Sequence, residues 1–425
     1  MDMESIIPLT MGRLKFGAGA TEEVGYELRV MGIRRALLVA DPQLWDTGII
    51  DGIRAAIEAE EISLAIYDEI HVEPTDVSFR QAVEHLGSAE YDAYVALGGG
   101  STIDTAKAIN LLTTYPADIF DYINKPIGKG RPVPGPLKPL VAIPTTAGTG
   151  SETTPVIALE LLDLRVKTGI SHPHIRPTLA IVDPLATLSL PPAVTASSGL
   201  DVLTHAAESF TSRPYNTRPK AADPASRPSY IGSNPIADMW SEQAIAWMGR
   251  YLRRATFNGQ DIEARTHMAM SSTFAGIGFG NAGVHIPHAL GYPIAGMNRA
   301  WRCPGYAGEE PLVPHGIATV LCAPACFHFT APTNPTRHAR IAELLGANVA
   351  GLSPLEAAAK LPGAIIQLMR DIGCPSGLRE IGYTEADIPE MVEGAWKQQR
   401  LLVGSPRPVA EDDLARIIEE SMKLW

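Results

Sequence analysis

GLDVLTHAAESF places Asp201 and His205 four residues apart. On a helix such side chains stack one turn apart on one face, so a carboxylate and an imidazole can converge on one cation. The same spacing suits a helix-terminal acid beside a buried histidine, and alone the pair favours that plainer reading. More imidazoles follow: His285 and His288 in GVHIPHALGYP, and His315 in LVPHGIATV. One carboxylate with two or three imidazoles suits Fe(II), Zn(II) or a similar ion, and the donor set does not choose between them.

A different chemistry is written into AYVALGGGSTIDTAKAI (93–109), which reads as a strand, a glycine turn and a helix start. Gly98, Gly99 and Gly100 would let backbone N–H groups approach a phosphate, with Ser101 or Thr102 capping the helix. A tight turn with no ligand reads the same way. A second turn, TTAGTGSETT (145–154), is dense in hydroxyls and glycine and could cover a phosphate or nicotinamide. Asp41 closes the strand ALLVAD, where an acid could bind ribose hydroxyls and disfavour the 2′-phosphate of NADP. GFGNAG (278–283) fits G-x-G-x-x-G literally, but it follows a helical run and opens no βαβ unit, so close helix packing is the better reading. Cys322 and Cys326 have no second pair at zinc-site spacing; with Cys303 and Cys374 they read as small buried thiols.

The elements that must position these residues divide at about residue 190. Before it, the apolar runs 36–41, 93–100, 140–145 and 179–183 read as buried strands, alternating with helical candidates such as 50–61 and 77–87. Such alternation implies a mostly parallel sheet covered on both faces. After PPAVTASSG (191–199), helical periodicity takes over. The expected architecture is an N-terminal Rossmann-like α/β domain over 1–190, binding a dinucleotide, and an all-α, metal-binding domain over 191–425. Residues 212–238 interrupt the helices with Pro214, Pro219, Pro224, Pro228 and Pro235. This loop gathers Arg213, Arg218, Lys220 and Arg227, any of which could clamp a substrate carboxylate, arginine better than lysine.

The 425 residues carry a formal net charge of −12, which speaks against an electrostatic grip on nucleic acid. No apolar run reaches the ~18 residues of a membrane span. The N-terminus MDMESIIPLT has two acids and no basic region, so a cytoplasmic protein is expected.

The motifs, in this order along the whole chain, resemble the iron-containing (group III) alcohol dehydrogenases, whose fold is shared with glycerol dehydrogenase and dehydroquinate synthase. LAIVDPLATLSLPPAVTASSGLDVLTHAAES (179–209) carries the most specific part of the likeness, completed by HALGYP and PHG. The resemblance implies a dehydroquinate-synthase-like α/β domain followed by helices. It implies metal ligands Asp201, His205, His288 and His315, with Fe(II) ahead of Zn(II), and leaves His285 structural. It implies NAD(H) contacts from Asp41, Gly98, Gly99, Gly100, Ser101, Asp104, Thr145, Thr146, Thr149 and Lys167. The implied activity is hydride transfer between an alcohol or short hydroxy acid and NAD(H) by a homo-oligomer.

Two features depart from the wider family. Where many members carry a second histidine near the nicotinamide, this chain has Tyr292, a candidate catalytic residue whose phenol could relay a proton or merely fill space. The stretch 298–313 also lengthens the segment between His288 and His315. Both features, with the 212–238 loop and the ending AEDDLARIIEESMKLW, resemble the hydroxyacid–oxoacid transhydrogenase subgroup. That likeness implies 4-hydroxybutyrate as hydride donor and 2-oxoglutarate as acceptor. The rival readings are a general alcohol dehydrogenase, a maleylacetate-reductase-like enzyme or non-redox synthase of the same fold, and a non-enzymatic binding protein. The complete set of ligand positions weighs against the maleylacetate-reductase-like enzyme and the binding protein.

Overall fold

Eight strands form from the β-branched and aliphatic runs: β1 (Arg13–Phe16), β2 (Arg35–Ala40), β3 (Ser63–Tyr67), β4 (Ala93–Gly98), β5 (Leu140–Pro144), β6 (Val156–Leu161), β7 (Val166–Ser171) and β8 (Leu179–Val182). Six of them build a sheet in the order β1-β8-β5-β4-β2-β3, in which every pair is parallel. The computed structural model describes residues 3–164, 166–306 and 308–425.

Five helices accompany the sheet: α1 (Val24–Val30), α2 (Ile49–Glu58), α3 (Asp76–Leu86), α4 (Gly100–Thr114) and the short α5 (Ile119–Tyr122). The two-residue period of β2 explains why the sheet needs cover on both sides. Ala36, Leu38 and Ala40 join a core with Leu28, Ile50, Ile53 and Ile57 of α1 and α2. Leu37 and Val39 face the opposite way, onto Ala82, Ile103, Ala106 and Ile109 of α3 and α4. The four strands expected from the sequence are β2, β4, β5 and β8. The strands β1, β3, β6 and β7 were not expected. β1 is a four-residue edge with no buried position, β6 alternates buried with less buried residues, and its antiparallel partner β7 buries Lys167, Thr168 and Gly169 in its middle. Neither gives the continuous apolar run of a central strand.

This sheet belongs to one compact unit, Thr10–Leu190; the other comprises Pro191–Trp425 and the N-terminal segment up to Leu9. Composition alone groups that segment with the sheet. It is held instead by a backbone hydrogen bond from Glu4 to the Arg218 carbonyl (2.9 Å) and an ion pair between Glu4 and Arg227 (3.0 Å).

The second unit is helical, and among its described residues β-structure is limited to isolated bridges. Its helices are α6 (Pro192–Thr211), α7 (Pro235–Phe257), α8 (Ile262–Ala282), α9 (Ile286–Gly296), α10 (His315–Val320), α11 (Ala323–Thr330), α12 (Pro335–Leu344), α13 (Pro354–Ala358), α14 (Leu361–Asp371), α15 (Ile388–Trp396), α16 (Gln399–Leu402) and α17 (Glu411–Ser421). The long α6 is buried along most of its length, packed by α7, α8 and α10. Residues 212–234 run between α6 and α7 without an α-helix, but Pro235 does not interrupt anything. It sits in the first turn of α7, where its missing N–H costs nothing, behind the capping side chain of Asn234. Among the described residues, no helix is long and apolar enough to cross a membrane.

Candidate metal and dinucleotide sites

In the helical unit, Asp201 and His205 lie one turn apart in the middle of α6, His288 lies in the first turn of α9, and His315 opens α10. One donor atom from each of the four falls within 4.8 Å of all the others. Asp201 Oδ2 is 3.7 Å from His205 Nδ1, while Asp201 Oδ1 is 3.8 Å from His288 Nε2 and 3.9 Å from His315 Nε2. These separations exceed a hydrogen bond but match the ~3–4 Å between neighbouring ligands that each sit about 2 Å from a shared ion.

Glu208, one turn beyond His205, decides which imidazole nitrogen is offered. Its Oε1 accepts the backbone N–H groups of His285 (2.8 Å) and His288 (3.2 Å), and its Oε2 accepts from His288 Nδ1. With Nδ1 protonated, the buried Nε2 of His288 presents a lone pair, makes no hydrogen bond and faces a carboxylate oxygen. Two acceptors opposed in a buried site fit a cation between them. Burial works against charge on both partners, but their mutual attraction wins. It holds the Glu208 carboxyl below its usual range and the His288 imidazole above its own. Phe279 stacks on the His205 ring at 3.9 Å between centroids, fixing its plane.

GFGNAG thus lies in the helical unit, with Phe279 against a ligand ring. It ends α8, and a Cβ on Gly278 would lie 2.4 Å from Ser241 Oγ, so the residue serves close helix packing. His285 lies outside the quartet; it is fully buried, within 3.1 Å of Thr211 Oγ1, and burial pushes its pKa down to about 4. The cysteines are buried free thiols, with Cys322 pushed up to about 12 by burial.

Three ligands are sealed, with side chains 2–6% exposed, while His315 is 27% exposed. Beside it Tyr292 stacks on the His315 ring at 6.2 Å, and its hydroxyl accepts a hydrogen bond from Arg400 Nη2 at 3.0 Å. The loop arginines singled out above bond mainly to neutral oxygens, and Arg218 Nε is buried without a hydrogen-bond partner. Arg213 donates to Thr217, Arg218 to the Tyr230 carbonyl, and Arg227 pairs with Glu4. These contacts tie down the proline-rich segment.

In the sheet unit, β3 lies outward of β2 while β4 returns to its other side, so the chain reverses direction between β2 and β4. The carboxyl ends of strands flanking such a switch point form the usual crevice of open α/β sheets. Asp41 follows β2, and Gly98–Gly100 run from the last residue of β4 to the first of α4; Asp41 N–H bonds the Leu97 carbonyl (3.0 Å). Burial raises the Asp41 carboxyl, against a hydrogen bond from the Gln43 N–H (3.0 Å). Neither Ser101 nor Thr102 caps α4. Gly99 is the N-cap and offers no side chain, and Ser101 Oγ accepts from Glu73 N–H (3.2 Å). The first-turn N–H groups of α4 are left without a side-chain cap, as an anion site requires.

The second turn packs directly on the first. Thr145 N–H bonds the Gly98 carbonyl (3.0 Å), and a Cβ on Gly100 would lie 2.6 Å from Thr149 Cγ2. Thr146 stands over Gly99 in the same way. Two expected contacts are engaged by the protein. Asp104 accepts from Ser151 Oγ (2.5 Å), Lys107 Nζ (3.2 Å) and Ala158 N–H (2.8 Å), so it anchors the second turn to α4. Lys167 pairs with Glu73 at 2.5 Å. The sequence reading missed Glu208, Phe279, Arg400, Glu73 and the buried Lys107. Glu208 had a local signal, lying three residues after a candidate ligand, and Lys107 and Phe279 lie inside segments already singled out.

A parallel sheet with a glycine turn at its switch point, and a helical unit holding one carboxylate and three imidazoles, define a class of metal-centred oxidoreductases. The iron-containing alcohol dehydrogenase model matches residues 12–184, and the C-terminal model of the Fe-containing alcohol dehydrogenase family matches 229–422. The chain belongs to the iron-containing alcohol dehydrogenase family and is an oxidoreductase. It is 46% identical to the hydroxyacid-oxoacid transhydrogenase of Bos taurus, over 98% of this chain and 90% of the bovine one. With the Homo sapiens protein of the same name the identity is 45%, with the same coverage. Among solved structures, a 1,3-propanediol oxidoreductase superposes with a TM-score of 0.86 at 32% identity, covering 98% of this chain and 100% of that one. A sulfoacetaldehyde reductase from Bifidobacterium kashiwanohense, in complex with NAD+, gives 0.81 at 26% identity and 99% coverage of each chain. The two transhydrogenases are named as mitochondrial proteins, which overturns the cytoplasmic placement expected above. The charge pattern of ten residues is too local a property to fix a compartment.

Proposed function

We propose that this protein is a hydroxyacid–oxoacid transhydrogenase working with NAD(H) and a divalent metal, Fe(II) ahead of Zn(II). The observation that carries the reading is the convergence of Asp201, His205, His288 and His315, with His288 locked by Glu208 to present Nε2. When bound, the ion supplies Lewis acidity that eases loss of a hydroxyl proton and polarises a carbonyl, and the nicotinamide supplies the hydride exchange. The chain's own residues hold and orient. Asp201 contributes the negative charge, the imidazoles fix direction, and Asp41 favours ribose hydroxyls over a 2′-phosphate. Gly98, Gly99, Gly100, Ser101, Thr145, Thr146 and Thr149 form the dinucleotide cradle, with Lys167 and Asp104 bracing it. Tyr292 exchanges the substrate's proton with solvent through its hydroxyl beside His315.

In the first half-reaction, 4-hydroxybutyrate loses a hydride to NAD+ and a proton to the protein, leaving the semialdehyde. In the second, the keto carbon of 2-oxoglutarate would take the hydride back and its keto oxygen a proton, giving 2-hydroxyglutarate and regenerating the oxidised dinucleotide. A homo-oligomeric state belongs to the same reading, since edge strand β1 leaves Leu14 and Phe16 exposed; light scattering would test it. The decisive experiment is a paired assay on metal-analysed protein. Turnover of 4-hydroxybutyrate with 2-oxoglutarate and no added cofactor is expected. Turnover only with free NAD+, equally fast with a plain diol, would make the protein an ordinary alcohol dehydrogenase.

A further inference from the structure

We infer that Arg400 is the carboxylate anchor of this site and selects acids whose carboxylate lies several bonds from the reacting carbon. The inference rests on the hydroxy-acid reading above. A substrate acid approaching the metal quartet calls for a cation at its open side, beside the exposed ligand. The only ligand with appreciable exposure is His315, and the side chains leading outward from it are Tyr292 and then Arg400.

Arg400 lies on α16, which packs against α9, the helix carrying His288 and Tyr292. Its guanidinium carbon is 5.8 Å from the Tyr292 ring centroid, and one of its N–H groups is held by the Tyr292 hydroxyl. Among the described residues no carboxylate lies within ion-pair distance of it, although the whole chain carries a net charge of −12. Arg400 is only partly exposed, so a half-sheltered cation stands at the mouth of the metal group with donors to spare. A guanidinium presents five N–H groups in a planar fork that matches a carboxylate in two-point contact. Because the phenol oxygen accepts from Arg400, the phenol's own hydrogen is left to point elsewhere. Tyr292 can thus hold the guanidinium and still exchange a proton beside His315, which gives a physical reason for tyrosine at a position where many relatives of the wider family have histidine.

The spacing bears on substrate class. Extended, a 4-hydroxy acid separates its hydroxyl oxygen from its carboxylate by roughly 6 Å, and a 2-hydroxy acid by roughly 3 Å, at ordinary bond lengths of about 1.5 Å. With an aromatic ring standing between His315 and the guanidinium, the longer separation fits a carboxylate on Arg400 and the hydroxyl at the metal quartet.

The test uses the full-length, metal-loaded protein with Arg400→Gln and Arg400→Lys. Loss of a charge-assisted two-point contact should lower the ratio of kcat/KM for 4-hydroxybutyrate to that for 1,4-butanediol about 30- to 100-fold in R400Q, mainly through KM. R400K, keeping the charge without the fork, should recover part of it. Calorimetry with butyrate, which has the carboxylate and no hydroxyl, reads the anchor without turnover; binding should weaken by a similar factor in R400Q. An unchanged ratio, or an equal fall for acid and diol with unchanged butyrate binding, overturns the anchor. Arg400-dependent butyrate binding in a protein that turns over no hydroxy acid would leave the anchor standing and sink the proposed function instead.

Discussion

Replacing Glu208 by Gln isolates the contribution of a residue that would touch neither substrate nor metal. The amide oxygen can still accept the two backbone N–H groups of His285 and His288 that Glu208 Oε1 now holds at 2.8 and 3.2 Å. The amide nitrogen then faces His288 Nδ1, donor against donor. The imidazole must give up that hydrogen bond or move its proton to Nε2, the atom that faces Asp201 at 3.8 Å. Either change spoils His288 as a ligand. Loss of such an outer partner costs 10- to 100-fold in metal affinity in comparable sites, or about 1.4–2.7 kcal/mol. Competition against a chromophoric chelator measures the metal Kd directly. Because an ion that binds only the folded state stabilises it by mass action, the loaded protein should lose stability by about the same amount at fixed free metal. A Kd within threefold of the parent protein's would refute the assignment of Glu208 as the group that sets the His288 tautomer.

Three further perturbations follow from the structure. Gly316 lies against α6, where a Cβ would sit 1.9 Å from the Ser197 carbonyl oxygen and 2.9 Å from the Asp201 nitrogen. Backbone atoms cannot step aside, so Gly316→Ala should displace His315, destabilise the helical unit by about 2 kcal/mol and weaken metal binding, measurable by the same chelator competition. His338 donates to the Asn334 carbonyl and lies within 2.8 Å of Thr330 Oγ1, and burial holds its pKa at about 4. The unfolded chain therefore binds a proton between about pH 6.5 and 4 that the folded chain does not. Stability should be complete above pH 6.5 and fall by up to ~3 kcal/mol as pH drops through that window. Denaturant midpoints from pH 7.5 to 4.5 should show a shallower acid slope in H338N. Asp41→Ala should lower the NAD+ over NADP+ preference in kcat/KM about tenfold or more, read by steady-state kinetics with each dinucleotide. An unchanged preference would leave Asp41 as no more than the cap of its own turn.

Much of this protein was legible in one dimension because its chemistry is tied to local periodicity. Asp201 and His205 share a helix face by spacing alone, and the continuous apolar runs of β2, β4, β5 and β8 announce strands buried on both sides of a parallel sheet. The resemblance then supplied His288 and His315, which spacing along the chain could not have brought to Asp201. Edge strand β1 and strand β6 escaped notice because partly exposed strands dilute the apolar signal, and β7 because it buries Lys, Thr and Gly instead of aliphatic residues. The folded chain alone decided which charges are available. It bonds Asp104 to Ala158, Lys167 to Glu73, Arg218 to the Tyr230 carbonyl and Arg227 to Glu4. Arg400, with no motif around it, came to rest beside Tyr292 and His315. Residue type and periodicity determine what a side chain can do and which face it occupies. Whether its donors and acceptors are already satisfied depends on neighbours tens to hundreds of residues away, and only packing brings those neighbours in.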